Sequence, residues 1–148
     1  MVGRPRHAGI ADAVCDYETR AARYWPLDVR EVREESARSL ATAAVVEREW
    51  TRLAEQLPAA ARVVLCDPGG ELMDSARFAR WMAQQRDEAR AVAFVVGGAF
   101  GLPDVARRGA FLRLSLAPWT LPHELARLVL AEQLYRAGTI ARGEPYHK

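Results

Sequence analysis

FVVGGAFGLP at residues 94–103 and LRLSLAPWTLPHELARLVLAEQLYRAG at residues 112–138 follow one pattern: a short apolar β-type run empties into a loop rich in Gly or Pro. The runs are Ala93 to Val96 and Leu112 to Leu116, and the loops cover residues 97–103 and 117–122. Open α/β sheets bind ligands in the crevice at the carboxyl ends of their strands, so the two loops are expected to lie close together. Pro122 sets the start of the longest and most apolar helix in the chain. At ~100° per residue, Leu125, Leu128, Val129, Glu132 and Arg136 fall on one stripe of it. Leu130, Leu134 and Ala137 fall on another, so the helix is expected to be buried nearly all round. Glu132 and Arg136, four residues apart on the first stripe, must then pair. That pair is either a structural tie or poised at a site or a subunit interface.

Upstream, helix and strand signals alternate. Ile10, Val14, Tyr17, Ala21 and Tyr24 recur at helical spacing between Ile10 and Trp25. Residues 28–34, DVREVRE, alternate with period two, as a strand with one wetter face does. Leu40, Ala43, Ala44, Glu47, Trp50, Leu53 and Leu57 line up in a helix over residues 39–57, from Ser39, whose Glu- and Arg-dense surface reads as solvated. RVVLC at 62–66 is a short buried strand, stopped by a turn at Asp67-Pro68-Gly69-Gly70. Asp74 or Ser75 caps the next helix, which runs through Phe78, Trp81 and Met82. Residues 91–96 are continuously apolar, as a strand covered on both faces requires. Pro103-Asp104 opens a short helix ended by Gly109. The alternation predicts βαβ units: an α/β fold, a mostly parallel sheet with helices on both faces, in one domain spanning residues 1–148.

Composition narrows the class without choosing a function. Half of the 148 residues are hydrophobic and 27% are charged, an ordinary globular profile. No apolar run of about 18 residues is present, so no membrane span is expected. The opening MVGRPRHAG lacks the apolar core of a secretory signal. Cys15 and Cys66 lack metal-type spacing and read as buried thiols in a reducing cytosol. No metal-ligand cluster or P-loop is seen, and the Gly97-Gly98-Ala99-Phe100-Gly101 spacing is not the dinucleotide fingerprint. A formal charge of +2 and a pI near 8.8 suit RNA without demanding it. Arg4, Arg6 and His7 form either a solvated turn or a phosphate-contacting edge.

Several segments together are far more specific than any one. Gly97-Gly98-Ala99-Phe100-Gly101-Leu102, Leu114-Ser115-Leu116, Thr120-Leu121-Pro122-His123-Glu124-Leu125, Glu132-Gln133-Leu134-Tyr135-Arg136 and Pro145-Tyr146-His147-Lys148, in that order, resemble the RlmH family of SPOUT-class methyltransferases. The match is in register from about Arg62 to Lys148 and looser from Gly3 to Glu35. The resemblance implies a SPOUT-type α/β knot, with a C-terminal trefoil, and methylation of N3 of a pseudouridine in 23S ribosomal RNA on the assembled ribosome. It implies S-adenosylmethionine as cofactor, no metal, a cytoplasmic location, and a homodimer in which one subunit's tail and basic loop complete the other's site. One departure stands out. The family opens with a full apolar strand ending in a Val-Gly-like dipeptide, whereas this chain opens Met1-Val2-Gly3. Most of that first strand is therefore expected to be missing: either the true start lies upstream of Met1 or the protein lacks a strand, and a missing inner strand would leave unpaired sheet edges.

Carried over by position, the cofactor contacts would be Cys66, Gly98, Ala117, Pro118, Trp119, Thr120, Leu121 and Pro122, with the adenine held mostly by backbone groups. Pro118 has no amide N–H to give. His123, Glu132, Arg136, Tyr146 and His147 are the candidate catalytic residues. On the residues alone, His123 is equally a helix-start histidine without chemistry, and a Tyr146-His147-Lys148 terminus is normally frayed. Trp119 is a core aromatic or, like Tyr146, a platform for a flipped base. Arg4, Arg6, His7, Arg136, His147 and Lys148 are the phosphate-contact candidates. Two rival functions remain: a Rossmann-like nucleotide-binding enzyme, and a non-catalytic ribosome- or RNA-binding module of the same fold.

Overall fold

In the computed structural model, which describes residues 1–36 and 41–147, three parallel strands form a sheet of order β2-β1-β3. The strands are β1 (Arg62–Leu72), β2 (Val92–Val96) and β3 (Leu112–Ser115). Five helices surround them: α1 (Ala8–Ala21), α2 (Thr42–Glu55), α3 (Ser75–Asp87), α4 (Asp104–Gly109) and α5 (His123–Ala141). Side chains alternate across a strand, so β1 feeds two cores. Val64 joins α1, α3 and α5 through Ala21, Phe78, Met82, Leu130 and Leu134. Its neighbour Leu65 joins α2 and α4 through Leu53, Leu102 and Ala106. Helices thus cover both faces, as the continuous apolar runs of β1 and β2 require.

The opening residues take an edge position. Val2 is fully buried; its N–H donates to Val96 O at 3.2 Å, and it bridges Val32 in parallel. The Met1 ammonium donates to Arg30 O at 2.7 Å. Burial, with Arg127 nearby, holds that amino group below its usual range. Behind it, a groove of about 370 Å³ runs between the free edge of β2 and residues 26–30.

Several expectations need correcting. Residues 28–34 do not form a strand; among the described residues of this stretch Val32 alone is bridged, to Val2, accepting from Gly3 N–H and donating to Met1 O, both at 2.9 Å. Asp67-Pro68-Gly69-Gly70 does not end β1. It is an excursion within the strand, since both Cys66 and Glu71 pair with Leu114, and the Asp67 side chain holds it by accepting from Gly69 N–H at 2.9 Å. The inward stripe of α2 is Val45, Glu49 and Leu53, rotated from the expected one, and Glu47 is exposed. Ser39 and Leu40 lie outside the described residues. Cys15 is exposed on α1, away from the core face of Val14 and Ala21. The Cys66 thiol is pushed up to about 12 by burial. Finally, α5 is buried on one side only. Ala126, Arg127, Leu130, Ala131, Leu134 and Ala137 face α1 and α3, while Leu125 is exposed and Leu128 and Val129 half-buried, because no element among the described residues covers that stripe. Where sequence patterns hold, they hold locally: Asp74 caps α3 by accepting from Arg77 N–H at 2.6 Å, and Pro122 stands immediately before the first residue of α5.

Candidate functional site

The loops after β2 and β3 do converge. A cavity of about 480 Å³ opens at the carboxyl ends of the strands, within the usual range of small-molecule sites, roughly 300–1,000 Å³. Its walls are Cys66 and Asp67 from β1, Gly97, Gly98, Gly101 and Leu102 after β2, and Leu116, Ala117, Trp119, Thr120, Leu121, Pro122 and His123 from the approach to α5. Of the eight residues carried over as cofactor contacts, Pro118 alone is not on the wall. Trp119 is not a core aromatic: it is 67% exposed on the rim, since the turn that starts α5 holds it outside both cores. Ser115 Oγ donates to Ala117 O at 2.7 Å and ties this loop to the end of β3.

The cavity's charges are largely spent on each other. Asp67 accepts from Arg107 Nε at 2.9 Å and from Arg113 Nε at 3.2 Å. Burial alone would raise its carboxyl, but the Gly69 N–H and the two guanidiniums outweigh that and hold it below the usual range. His123 stands on the wall with its Nε2 buried, without a hydrogen-bond partner among the described residues, and a Cβ on Gly3 would press against it.

The other four candidates gather elsewhere. Arg136 donates to Glu132 Oε1 from Nε at 2.9 Å and from its NH2 at 2.5 Å, so the expected pair forms. Tyr146 donates to the same oxygen at 3.1 Å and meets the Tyr17 hydroxyl at 3.3 Å. Arg136 also stacks on the Tyr146 ring and reaches His147 Nδ1 at 3.4 Å. The tail is therefore docked through residue 147, not frayed; burial and its contacts with Tyr17 and Glu132 raise the Tyr146 hydroxyl above its usual range. Lys148 lies outside the described residues. His123 and Glu132 are nine residues apart on α5, about 14 Å of helix rise, so one chain offers a cavity with His123 and a separate polar cluster. At the other expected RNA edge, Arg4 pairs with Glu31 at 2.5 Å and Arg6 with Glu34.

Sequence reasoning missed two buried charges. Arg127, only 8% exposed, holds Glu18 through Nε at 2.7 Å and its NH2 at 3.0 Å, and Glu31 through its NH1 at 2.6 Å. Glu49 is 3% exposed behind Gly98. A signal existed for the second: Val45, Glu49 and Leu53 recur at four-residue spacing. Among the described residues, no group of three His, Cys, Asp or Glu is placed to hold a metal ion, and no helix is long and apolar enough to cross a membrane.

Comparison with known proteins agrees with this architecture. The family described as "Predicted SPOUT methyltransferase" matches residues 1–147. The chain is 68% identical over 148 residues to the Ribosomal RNA large subunit methyltransferase H of Gemmatimonas aurantiaca, covering 100% of this chain and 96% of that protein. It is 43% identical over 147 residues to the protein of the same name from Pelobacter propionicus, covering 99% and 95%. The Geobacter sulfurreducens protein of that name is 37% identical over the same length and with the same coverage.

Proposed function

This chain belongs to the SPOUT methyltransferase family, and we propose that it uses S-adenosylmethionine to methylate N3 of a pseudouridine in 23S ribosomal RNA. We place the reaction on the assembled ribosome, carried out by a cytoplasmic homodimer with a knotted C-terminal half. The observation that carries this reading is the shared cavity of the two strand-end loops. Its walls suit an adenosyl group: apolar side chains such as Leu102, Leu116 and Leu121 beside peptide groups of residues 117–122 that can read an adenine edge. Gly98 brings bare backbone to the same space. The cofactor, once bound, supplies an electrophilic methyl group on a cationic sulfur.

The chain's own residues then have to present the base and receive its proton. The N3–H bond breaks, its proton passing to a side chain of the site or to water, as the N3–methyl bond forms, so a cation beside the ring favours the developing anion. Arg136, braced by Glu132 and stacked on Tyr146, has that character, and Tyr146 and His147 complete its cluster. In one subunit the cluster is too far along α5 from the cavity. A second subunit docked on the uncovered stripe of Leu125, Leu128 and Val129 would bring its cluster to the first subunit's cavity. Trp119, exposed at the rim, then offers a face for the extruded base.

The test is transfer of labelled methyl groups to ribosomes from a strain lacking this activity. Incorporation at one pseudouridine of the large-subunit RNA is expected. A folded protein that binds the cofactor and ribosomes but transfers nothing would instead be a binding module of the same fold.

A further inference from the structure

We propose that Glu49 of α2 is a positioning residue of the cavity: through Gly98, it presents a negative charge to a cationic sulfur bound on the other side. The inference rests on the cofactor reading above, and four observations lead to it. Glu49 is 3% exposed, though it sits in a helix whose other acidic residues point outward. Its Oε1 accepts the Glu35 N–H at 2.9 Å, while Oε2 is buried without a partner among the described residues. A Cβ on Gly98 would overlap that oxygen, so the carboxyl lies directly against a residue that also lines the cavity. Finally, the cavity's own acid is already spent: Asp67 is shared by Arg113 and by Arg107, which also pairs with Asp104. A cation entering a site whose acid is already paired needs a further negative group, and a carboxylate with one buried oxygen unpartnered is stabilised by a positive one.

The surroundings of Glu49 do not supply that charge. Arg52 on the same helix is committed to Glu35 and to Arg33 O, while Glu34 and Glu35 bring charge of the same sign. Burial, the largest cause, raises the Glu49 carboxyl above its ordinary range; the Glu35 N–H opposes it, Glu34 adds to it, and Arg52 and the Glu35 charge act less, in opposite directions. His123, beside Gly3, also lines the cavity. The charge on the ligand is therefore the variable that isolates Glu49.

S-adenosylmethionine and S-adenosylhomocysteine share every group except the methyl on sulfur, and only the first carries charge there. Their affinities are measured by calorimetry for the wild-type chain, for Glu49→Gln, which keeps the shape and removes the charge, and for Glu49→Asp. The affinity ratio, cationic over neutral, is expected to fall about tenfold in Glu49→Gln, as for two charges separated by one residue in a medium of intermediate dielectric. Glu49→Asp should recover part of it. Equal changes for both ligands, or none, would overturn the inference, because a purely structural role does not distinguish the two sulfurs. If Glu49→Gln does not fold, carbon NMR of the wild-type Glu49 carboxyl decides: its titration midpoint should drop with the sulfonium ligand and stay put with the thioether. A wild-type chain that binds neither nucleoside would remove the cofactor reading along with the inference, whereas binding with an unaltered ratio removes the inference alone.

Discussion

Arg127 ties three separate segments through two carboxylates, from α1 and from the chain beside Met1. Removing one member of such a buried group leaves the others uncompensated. Arg127→Met is therefore expected to cost about 3 kcal/mol, the low end for buried pairs because Glu18 and Glu31 keep some access to water. A lower urea midpoint at unchanged slope would show it. Asp67 governs a different measurement. Its carboxyl is held below the ordinary range, so its contribution is fully present above the unfolded value of about 3.9 and is lost as pH falls through the folded value. Asp67→Asn should be about 2 kcal/mol less stable at neutral pH and should lose less on acidification. Parallel acid limbs for the two proteins would contradict the assignment.

Between elements, the contact of α5 with the turn after α1 sets a sharper test. Gly138 faces Tyr24, and a Cβ there would overlap Tyr24 Cβ, Cγ and Cδ2, the rigid root of the ring rather than its far end. Helix propensity alone favours Gly138→Ala by about 1 kcal/mol. Overpacking against a fixed side chain costs about 1–3 kcal/mol, and Tyr24 is further held by Glu144 and by stacked Arg142. The clash should win: Gly138→Ala is expected to lower the melting temperature, and a rise would mean that Tyr24 moves freely. The same approach explains how the tail docks. Tyr17, Tyr24, Tyr135 and Tyr146 form one aromatic run in which Tyr135 touches the other three.

For the molecule as a whole, the separation of His123 from the Glu132–Arg136–Tyr146 cluster yields a test of the proposed dimer. His123→Ala and Tyr146→Phe are each expected to abolish or strongly reduce methyl transfer. If each site draws its cavity from one subunit and its tail from the other, unfolding and refolding the two variants together should restore about a quarter of the sites: half of the random pairs are mixed, and one site in each mixed pair is intact. No recovery, with mixed dimers verified, would place both groups in one subunit's site.

The helices, the three strands that form the sheet, the two strand-end loops, a cap at Asp74 or Ser75 and the Glu132–Arg136 pair were legible in the residues, because each depends on neighbours within a few positions, although a strand at 28–34 was expected and did not form. The resemblance added the family. Tertiary structure alone decided what covers each face. It left residues 28–34 with a single bridge at Val32, exposed Trp119 and Cys15, opened one stripe of α5, and buried Arg127 against Glu18, 109 residues away. It also brought Glu49 up against Gly98. Periodicity tells which side of an element is apolar; only the folded chain, by bringing distant segments into contact, determines which polar group is taken out of water and what it meets there.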